Sequence, residues 1–150
     1  MPKDDDDILA QEIGKAGALG GSLGAGTAGK VGGRIGGIVG ARLLPTQEYE
    51  MTTLVRASRE TVASALVSVL AAQGRVFGSV AGAEAVEMRG LVYSGFLNMN
   101  PAILVVHIEQ TVPDATTVRI TGMAKEGLIK QHTAEKAARR VAEALQSRPQ

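Results

Sequence analysis

The chain has 150 residues and no Cys, which excludes disulfides, thiolate metal sites and cysteine nucleophiles. Its 16 Lys and Arg face 15 Asp and Glu, and 3% of its residues are aromatic, so it offers neither a broad polyanion-binding surface nor stacking platforms for single-stranded nucleic acid. A chain of this length holds one domain, or a smaller domain with an appended segment. We expect no nucleic-acid partner, no metal and no cofactor.

Residues 1–12 form an acidic segment with one Lys and five acids. A secretory signal would begin with basic residues and continue into an apolar core, which this segment lacks. We therefore expect a cytoplasmic protein, either free or attached to or inserted in the inner membrane. The acids either contact basic residues of another copy or form a solvated tail.

Residues 13–44 contain a four-residue repeat. From Ala16 the segment reads AGAL GGSL GAGT AGKV GGRI GGIV GARL, with Gly or Ala at the first two positions of every unit. On an α-helix, residues four apart lie nearly above one another, so the small residues form two smooth rows that allow close helix packing. The predicted self-association residues are Gly17, Gly20, Gly21, Gly24, Gly29, Gly32, Gly33, Gly36, Gly37 and Gly40.

Two further rows accompany the glycines. The fourth positions are mostly aliphatic, and Lys30, Arg34 and Arg42 form a charged ridge. As one helix the repeat would extend roughly 42 Å at about 1.5 Å per residue. Because each Gly costs about 0.8 to 1 kcal/mol in a helix, the segment needs other copies, its own domain or lipid to pack against. Disorder and a stacked strand remain alternatives, and Lys30 and Arg34 disfavour a simple membrane span.

The stretch GAGTAGKV, residues 24–31, fits two phosphate-binding patterns by spacing. A phosphate loop requires a preceding strand and a Ser or Thr after the Lys, whereas Val31 follows Lys30 here. Both patterns are subsets of the repeat. We therefore expect no nucleotide at this site.

The run Gly20, Gly24, Ala28, Gly32, Gly36 and Gly40 resembles the glycine-zipper segments of bacterial membrane-associated proteins. The resemblance covers about a fifth of the chain. It implies that helices of this segment pack between copies of the protein.

Residues 45–150 read as an α+β domain with the order βαββββα. A strand at residues 49–57 precedes a helix that is capped by Ser58 and ended by Gly74, and four strands follow before a last helix capped by Thr133. Apolar residues at helical spacing predict one buried face on each helix, with Val62, Ala65, Leu66, Val69 and Leu70 on the first and Ala134, Ala137, Ala138, Val141 and Leu145 on the last. This order predicts a five-stranded, mainly antiparallel sheet with two helices on one face. It distantly resembles a shortened helix-grip domain, in which a curved sheet and a carboxy-terminal helix enclose an apolar ligand.

Candidate chemistry in this domain is sparse, and we predict no catalytic residue and no enzyme. His107 and His132 lack the spacing of metal ligands, and alternation along its strand predicts a half-exposed sheet position for His107. One loop is a candidate contact for a partner or lipid, although its apolar side chains could instead fold into the core. Its residues are Phe96, Leu97, Asn98, Met99 and Asn100.

Two functions follow as hypotheses. The first is a non-enzymatic, self-assembling or membrane-associated protein whose glycine-zipper helices pack between copies, with the α+β domain displayed on the assembly. The alternative is a small α+β domain that binds an apolar ligand or lipid and carries a flexible glycine-rich tail. The expected partners are accordingly the chain itself and membrane lipid.

Overall fold

The computed structural model describes residues 3–82, 85–94, 100–112, 114–127 and 131–147. The amino-terminal helix is followed by the predicted βαββββα order, which confirms the α+β class. The elements are α1 (Lys3–Leu43), β1 (Thr46–Val55), α2 (Arg59–Gln73), β2 (Gly74–Ala81), β3 (Ala85–Ser94), β4 (Asn100–Val112), β5 (Ala115–Lys125) and α3 (Thr133–Gln146).

The five strands form one sheet in the order β1-β5-β4-β3-β2, and every neighbouring pair is antiparallel. Strands β2 to β5 are neighbours in sequence order, as hairpin connections allow. Strand β1 instead pairs with β5, with Thr46 opposite Lys125 and Val55 opposite Thr116. The first strand of the chain therefore lies at one edge of the sheet and β2 at the other.

Helices α2 and α3 cover the inner face of the sheet. Alternate residues of a strand point to opposite faces, and Leu104, Val106 and Ile108 of β4 belong to the inner core. The predicted apolar faces of both helices are confirmed. Their buried members include Val62, Leu66, Val69 and Leu70 of α2 and Ala134, Ala137, Ala138, Val141 and Leu145 of α3.

The predicted cap of α2 is confirmed, because the Ser58 side chain accepts a hydrogen bond from the Thr61 backbone N–H at 3.3 Å. The predicted cap of α3 is wrong. Helix α3 is preceded by His132, whose φ of 54° is left-handed and whose side chain makes no cap. The Glu126 carboxylate instead accepts hydrogen bonds from the backbone N–H groups of Thr133 and Gln131.

Helix α1 is not a single straight rod, contrary to the expected 42 Å helix. Residues 16 apart would be separated by about 24 Å in a straight helix, yet Gly17 and Gly33 face each other in direct backbone contact. The reversal lies at Gly26, whose φ of 59° is a left-handed conformation that suits glycine. We call residues 3–25 the first arm, residues 27–43 the second arm, and both together the hairpin.

The first arm packs on the outer face of the sheet, opposite α2 and α3. Leu9 is fully buried against Leu91, Ile103 and Met123. Ile103 alternates along β4 with the inner-core residues, so this cluster lies on the other side of the sheet. The protein thus has three layers, with the sheet in the middle.

Candidate functional site

The acidic residues of the first arm pair with basic residues of the sheet in the same chain. Asp5 is fully buried and forms an ion pair with Arg89. Asp6 Oδ1 lies 2.6 Å from Nζ of Lys125, whose side chain is 2% exposed. The acids expected to contact another copy or to form a solvated tail therefore attach the first arm to the outer face of the sheet.

Glu12 makes a second polar attachment one to two turns further along. Its Oε1 lies 3.1 Å from the Arg75 guanidinium, and its Oε2 accepts a hydrogen bond from the Tyr93 hydroxyl at 3.0 Å. Burial, together with the hydrogen bond to Glu12, raises the pKa of Tyr93. The neutral phenol, which is the form that can donate, is thereby favoured in the folded protein.

One row of glycines joins the two arms within a single chain. A Cβ atom at Gly17, Gly21 or Gly33 would overlap the carbonyl oxygen of the glycine that faces it on the other arm. Gly14 and Gly37 continue the same contact towards the base of the hairpin. Across the base, the Arg42 guanidinium lies 2.9 Å from Asp7 Oδ1.

The second row of glycines has no such partner at the three positions whose surroundings the structure describes. A Cβ atom added at Gly32, Gly36 or Gly40 would meet nothing within 4 Å. Gly20 and Gly24 lie in α1, and their surroundings are outside the described part of the chain. Packing of these glycines between copies remains a prediction.

A groove of about 370 Å³ lies between the arms. The register that places Gly17 against Gly33 also brings Lys15 of the first arm near Lys30 and Arg34 of the second. The groove is lined by Ala18, Leu19 and Val31 together with Lys15, Lys30 and Arg34. Apolar surface and positive charge thus converge at one concave site.

The cations of the groove differ in their pairing. Nζ of Lys15 lies 2.8 Å from Glu12 Oε1. Among the described residues, Lys30 and Arg34 form no ion pair, whereas Arg42 of the predicted charged ridge is paired with Asp7 away from the groove. Lys30 and Arg34 therefore carry the charge that is available to an anionic ligand.

Two smaller cavities lie at the edges of the domain. One of about 180 Å³ is bordered by Ile13, Lys125 and Glu126, and one of about 120 Å³ by Tyr49 and His132. The layer between α3 and the sheet, where a helix-grip ligand would bind, is occupied by buried side chains such as Leu104, Ile120 and Val141. The cavity of about 120 Å³ borders this layer at its edge, through Tyr49 and Ala134.

The remaining sequence candidates are less informative. Phe96, Leu97, Asn98 and Met99 lie outside the described residues, and Asn100 begins β4, where its side-chain amide donates to Gln131. His107 is a half-exposed sheet residue, as predicted, with Nδ1 3.6 Å from Glu87 Oε2. Within the described ranges, no three His, Asp or Glu residues are placed to hold a metal ion.

Sequence reasoning missed the groove because it treated the repeat as one straight helix. A signal for the turn was present. The unit GAGT is the only one with Gly at its third position, Gly26, and Thr27 is the only fourth-position residue that is not aliphatic. Without the turn, Lys15 and Arg34 would be about 28 Å apart along a helix axis.

The chain matches no family model and no curated protein. Among solved structures, a START superfamily protein from Mycobacterium smegmatis is similar with a TM-score of 0.42 and 14% identity, covering 66% of this chain and 94% of that one. A conserved protein of unknown function from Enterococcus faecalis has a TM-score of 0.41 and 11% identity, covering 67% and 70%. The Zhui aromatase/cyclase from a Streptomyces species has a TM-score of 0.35 and 11% identity, covering 67% and 92%.

These similarities concern the fold alone. Because the TM-scores are below 0.5 and the identities do not exceed 14%, no ligand or reaction of these proteins is assigned to this chain. Nor is any helix among the described residues long and apolar enough to cross a bilayer.

Proposed function

We propose that the protein binds an amphiphilic molecule with an acidic head group, such as a lipid or fatty acid, in the groove of the hairpin. The observation that carries this proposal is the convergence of Lys15, Lys30 and Arg34 around apolar surface. It corresponds to the lipid-binding hypothesis from the sequence, with the site on the glycine-rich segment rather than inside the α+β domain.

The groove has a suitable size and lining for part of such a molecule. Its volume of about 370 Å³ is at the lower end of the roughly 300 to 1,000 Å³ typical of ligand pockets. Ala18, Leu19 and Val31 offer aliphatic surface to a hydrocarbon chain, which gains about 0.8 kcal/mol for each buried CH₂ group. The length of chain that fits is therefore short, and the rest of the molecule extends from the groove.

The cations select for the head group. A guanidinium presents paired N–H donors that match a carboxylate or phosphate, and charge-assisted hydrogen bonds are about twice as strong as neutral ones. Because Lys30 and Arg34 have no ion-pair partner within the described residues, a ligand need not displace a carboxylate from them. An acidic amphiphile is accordingly favoured over a neutral one of the same chain length.

The direct test compares one hydrocarbon chain with three head groups. Isothermal titration of the full-length protein with dodecyl phosphate, dodecanoate and dodecanol, below the micellar concentrations of the acids and the solubility limit of the alcohol, should give binding at least about tenfold tighter for the two acids. The double variant Lys30→Gln/Arg34→Gln should lose about tenfold or more in affinity for the acids.

The matched control is Arg56→Gln/Lys136→Gln, which removes one Arg and one Lys from exposed positions outside the groove. It should bind all three compounds as the wild type does. Equal binding of acids and alcohol, or equal affinity of the two double variants, would overturn the proposal.

Self-association between copies is a second candidate function. It is favoured by the open space above Gly32, Gly36 and Gly40, beside the exposed side chains of Ile35 and Val39. On this hypothesis the glycines of one row hold the hairpin together, and the glycines of the other row receive a helix of another copy.

A further inference from the structure

The hairpin extends beyond the sheet on which it is anchored. Buried residues of the first arm occur between Asp5 and Ala18, and the second arm has Ala41 buried near its end. Among the residues between Ala18 and Ala41 whose burial is described, none is buried. We call residues 19–31, which surround the turn at Gly26, the tip of the hairpin.

The tip exposes large aliphatic side chains. Leu23 is 91% exposed, and Leu19 and Val31 are each at least 60% exposed. Single exposed apolar residues are common on protein surfaces, whereas a group of them at one projecting point indicates a contact with another apolar phase. The tip therefore presents exposed apolar surface on a part of the hairpin where no described residue is buried.

Basic residues lie close to this apolar surface, in a segment of the sequence that contains no acidic residue. Residues 13–44 include four basic residues and no acid. At about 1.5 Å per residue, Lys30, Arg34 and Lys15 lie roughly 6, 12 and 17 Å from the turn along the arms. The hairpin thus has apolar side chains at its turn and cations further along its arms. This order matches a bilayer surface, in which the acyl chains lie beneath the anionic head groups.

We infer that the tip of the hairpin inserts into the surface of an anionic lipid bilayer, with Leu23 in the acyl boundary and Lys15, Lys30 and Arg34 at the level of the head groups. Charge complementarity decides between this partner and a second copy. Two tips in contact would place like charges together, whereas anionic lipids attract cations that lie near the bilayer surface. Interfacial segments bury their apolar side chains roughly 5 to 10 Å deep, which is comparable with the distance from the turn to Lys30.

This inference rests on the proposed function, because a tip held at the bilayer places the groove where an acidic lipid can enter it. The two can fail separately. Binding of a single amphiphile requires the groove and no bilayer, whereas insertion requires Leu23, which does not line the groove.

The test is sedimentation of the full-length protein with vesicles. Vesicles of phosphatidylcholine alone are compared with vesicles of equal parts phosphatidylcholine and phosphatidylglycerol. We expect at least about tenfold stronger binding to the anionic vesicles, and weaker binding at high salt because exposed charges are screened. Leu23→Ser should reduce the vesicle affinity by about tenfold or more, since burial of a Leu side chain is lost.

Leu43→Ser provides a matched control on the same element. Leu43 is 82% exposed, but it lies at the base of the hairpin, 17 residues beyond Gly26. It should leave vesicle binding unchanged, and both variants should retain dodecyl phosphate binding in the groove. Equal losses from Leu23→Ser and Leu43→Ser would overturn insertion by the tip.

Two other outcomes would also overturn the inference. One is equal binding to the neutral and anionic vesicles. The other is a light-scattering mass that falls from a multiple to one copy in Leu23→Ser without any vesicle binding, which would assign the tip to a contact between copies. If the wild type binds dodecyl phosphate but not vesicles, insertion by the tip is wrong and the proposed function stands. If it binds vesicles but not dodecyl phosphate, the proposed function is wrong and insertion by the tip stands.

Discussion

The two faces of the sheet are covered in different ways. On the inner face, α2 and α3 bury twenty described residues in one apolar cluster. On the outer face, the first arm buries an apolar cluster of four residues, and its polar contacts include the ion pairs of Asp5, Asp6 and Glu12. Buried ion pairs lose much of their Coulomb attraction to desolvation, so the inner layer supplies most of the stability and the hairpin is attached more weakly.

The largest expected effect comes from comparing a buried Leu in each layer. Leu66 and Leu9 are both fully buried. Leu66→Ala should lower the free energy of global unfolding by about 2 to 5 kcal/mol, because it leaves a cavity in the inner core. Leu9→Ala should mainly loosen the hairpin, since the inner core does not depend on it.

Urea unfolding and amide hydrogen exchange distinguish these outcomes. Leu66→Ala should accelerate exchange throughout β3, β4 and β5, whereas Leu9→Ala should accelerate it in residues 3–43 and leave the protection of these strands nearly unchanged. If Leu9→Ala accelerates exchange equally in all elements, the hairpin and the sheet unfold as one unit and the comparison is wrong.

A smaller effect is expected at the start of α3, where Glu126 replaces the predicted cap. Burial tends to raise the pKa of Glu126, but the hydrogen bonds from the backbone N–H and the hydroxyl of Thr133 and from the backbone N–H groups of Gln131 and His132 outweigh it and lower this pKa from the ordinary value of 4.5. A carboxyl whose pKa is lowered by folding stabilises the protein above its unfolded pKa, and this contribution is lost as the pH falls through the folded pKa. Glu126→Gln should cost about 1 kcal/mol near neutral pH, as the loss of a cap does.

As the pH falls below the ordinary value of 4.5 and through the lower pKa of the folded state, the difference between wild type and Glu126→Gln should shrink, because the wild-type carboxyl is then increasingly protonated. Thermal unfolding of both proteins at neutral and acidic pH measures this difference in stability. Glu143→Gln, on the exposed side of the same helix, is the control and should change little at either pH. A cost of Glu126→Gln that does not depend on pH would contradict a role for the charge.

The inner layer could be predicted from the sequence because its signals are local. Apolar residues at helical spacing predicted the buried face of α2, and Ser58 predicted its cap. The position of α1 could not be predicted in this way, since it depends on contacts between residues far apart, such as Asp5 with Arg89. The predicted cap of α3 was wrong because the residue that accepts the hydrogen bond from the Thr133 N–H is Glu126. Glu126 lies seven residues earlier in the chain, outside the range of a local capping pattern.

The repeat illustrates both what a local sequence pattern can predict and what it cannot. Its period predicts that glycines allow helices to approach, but the period is the same for a partner in another copy and for the second arm of the same chain. The decisive residue was Gly26, which interrupts the pattern and permits the turn. Once the chain turns there, the groove cations converge without any motif that a linear reading would detect.

The smallest expected effects compare the two glycine rows on the second arm. Gly→Ala in a helix gains about 0.5 to 1 kcal/mol from propensity alone. Gly36→Ala should show this gain in stability, because a Cβ atom at residue 36 meets open space. Gly33→Ala should instead lower the stability of the hairpin, because a Cβ atom at residue 33 would overlap the backbone of Gly17. Hydrogen exchange of residues 3–43 should therefore slow in Gly36→Ala and accelerate in Gly33→Ala. If instead both variants accelerate exchange and Gly36→Ala also lowers the mass measured by light scattering, the outer glycine row packs between copies, and the second arm has a partner outside its own chain.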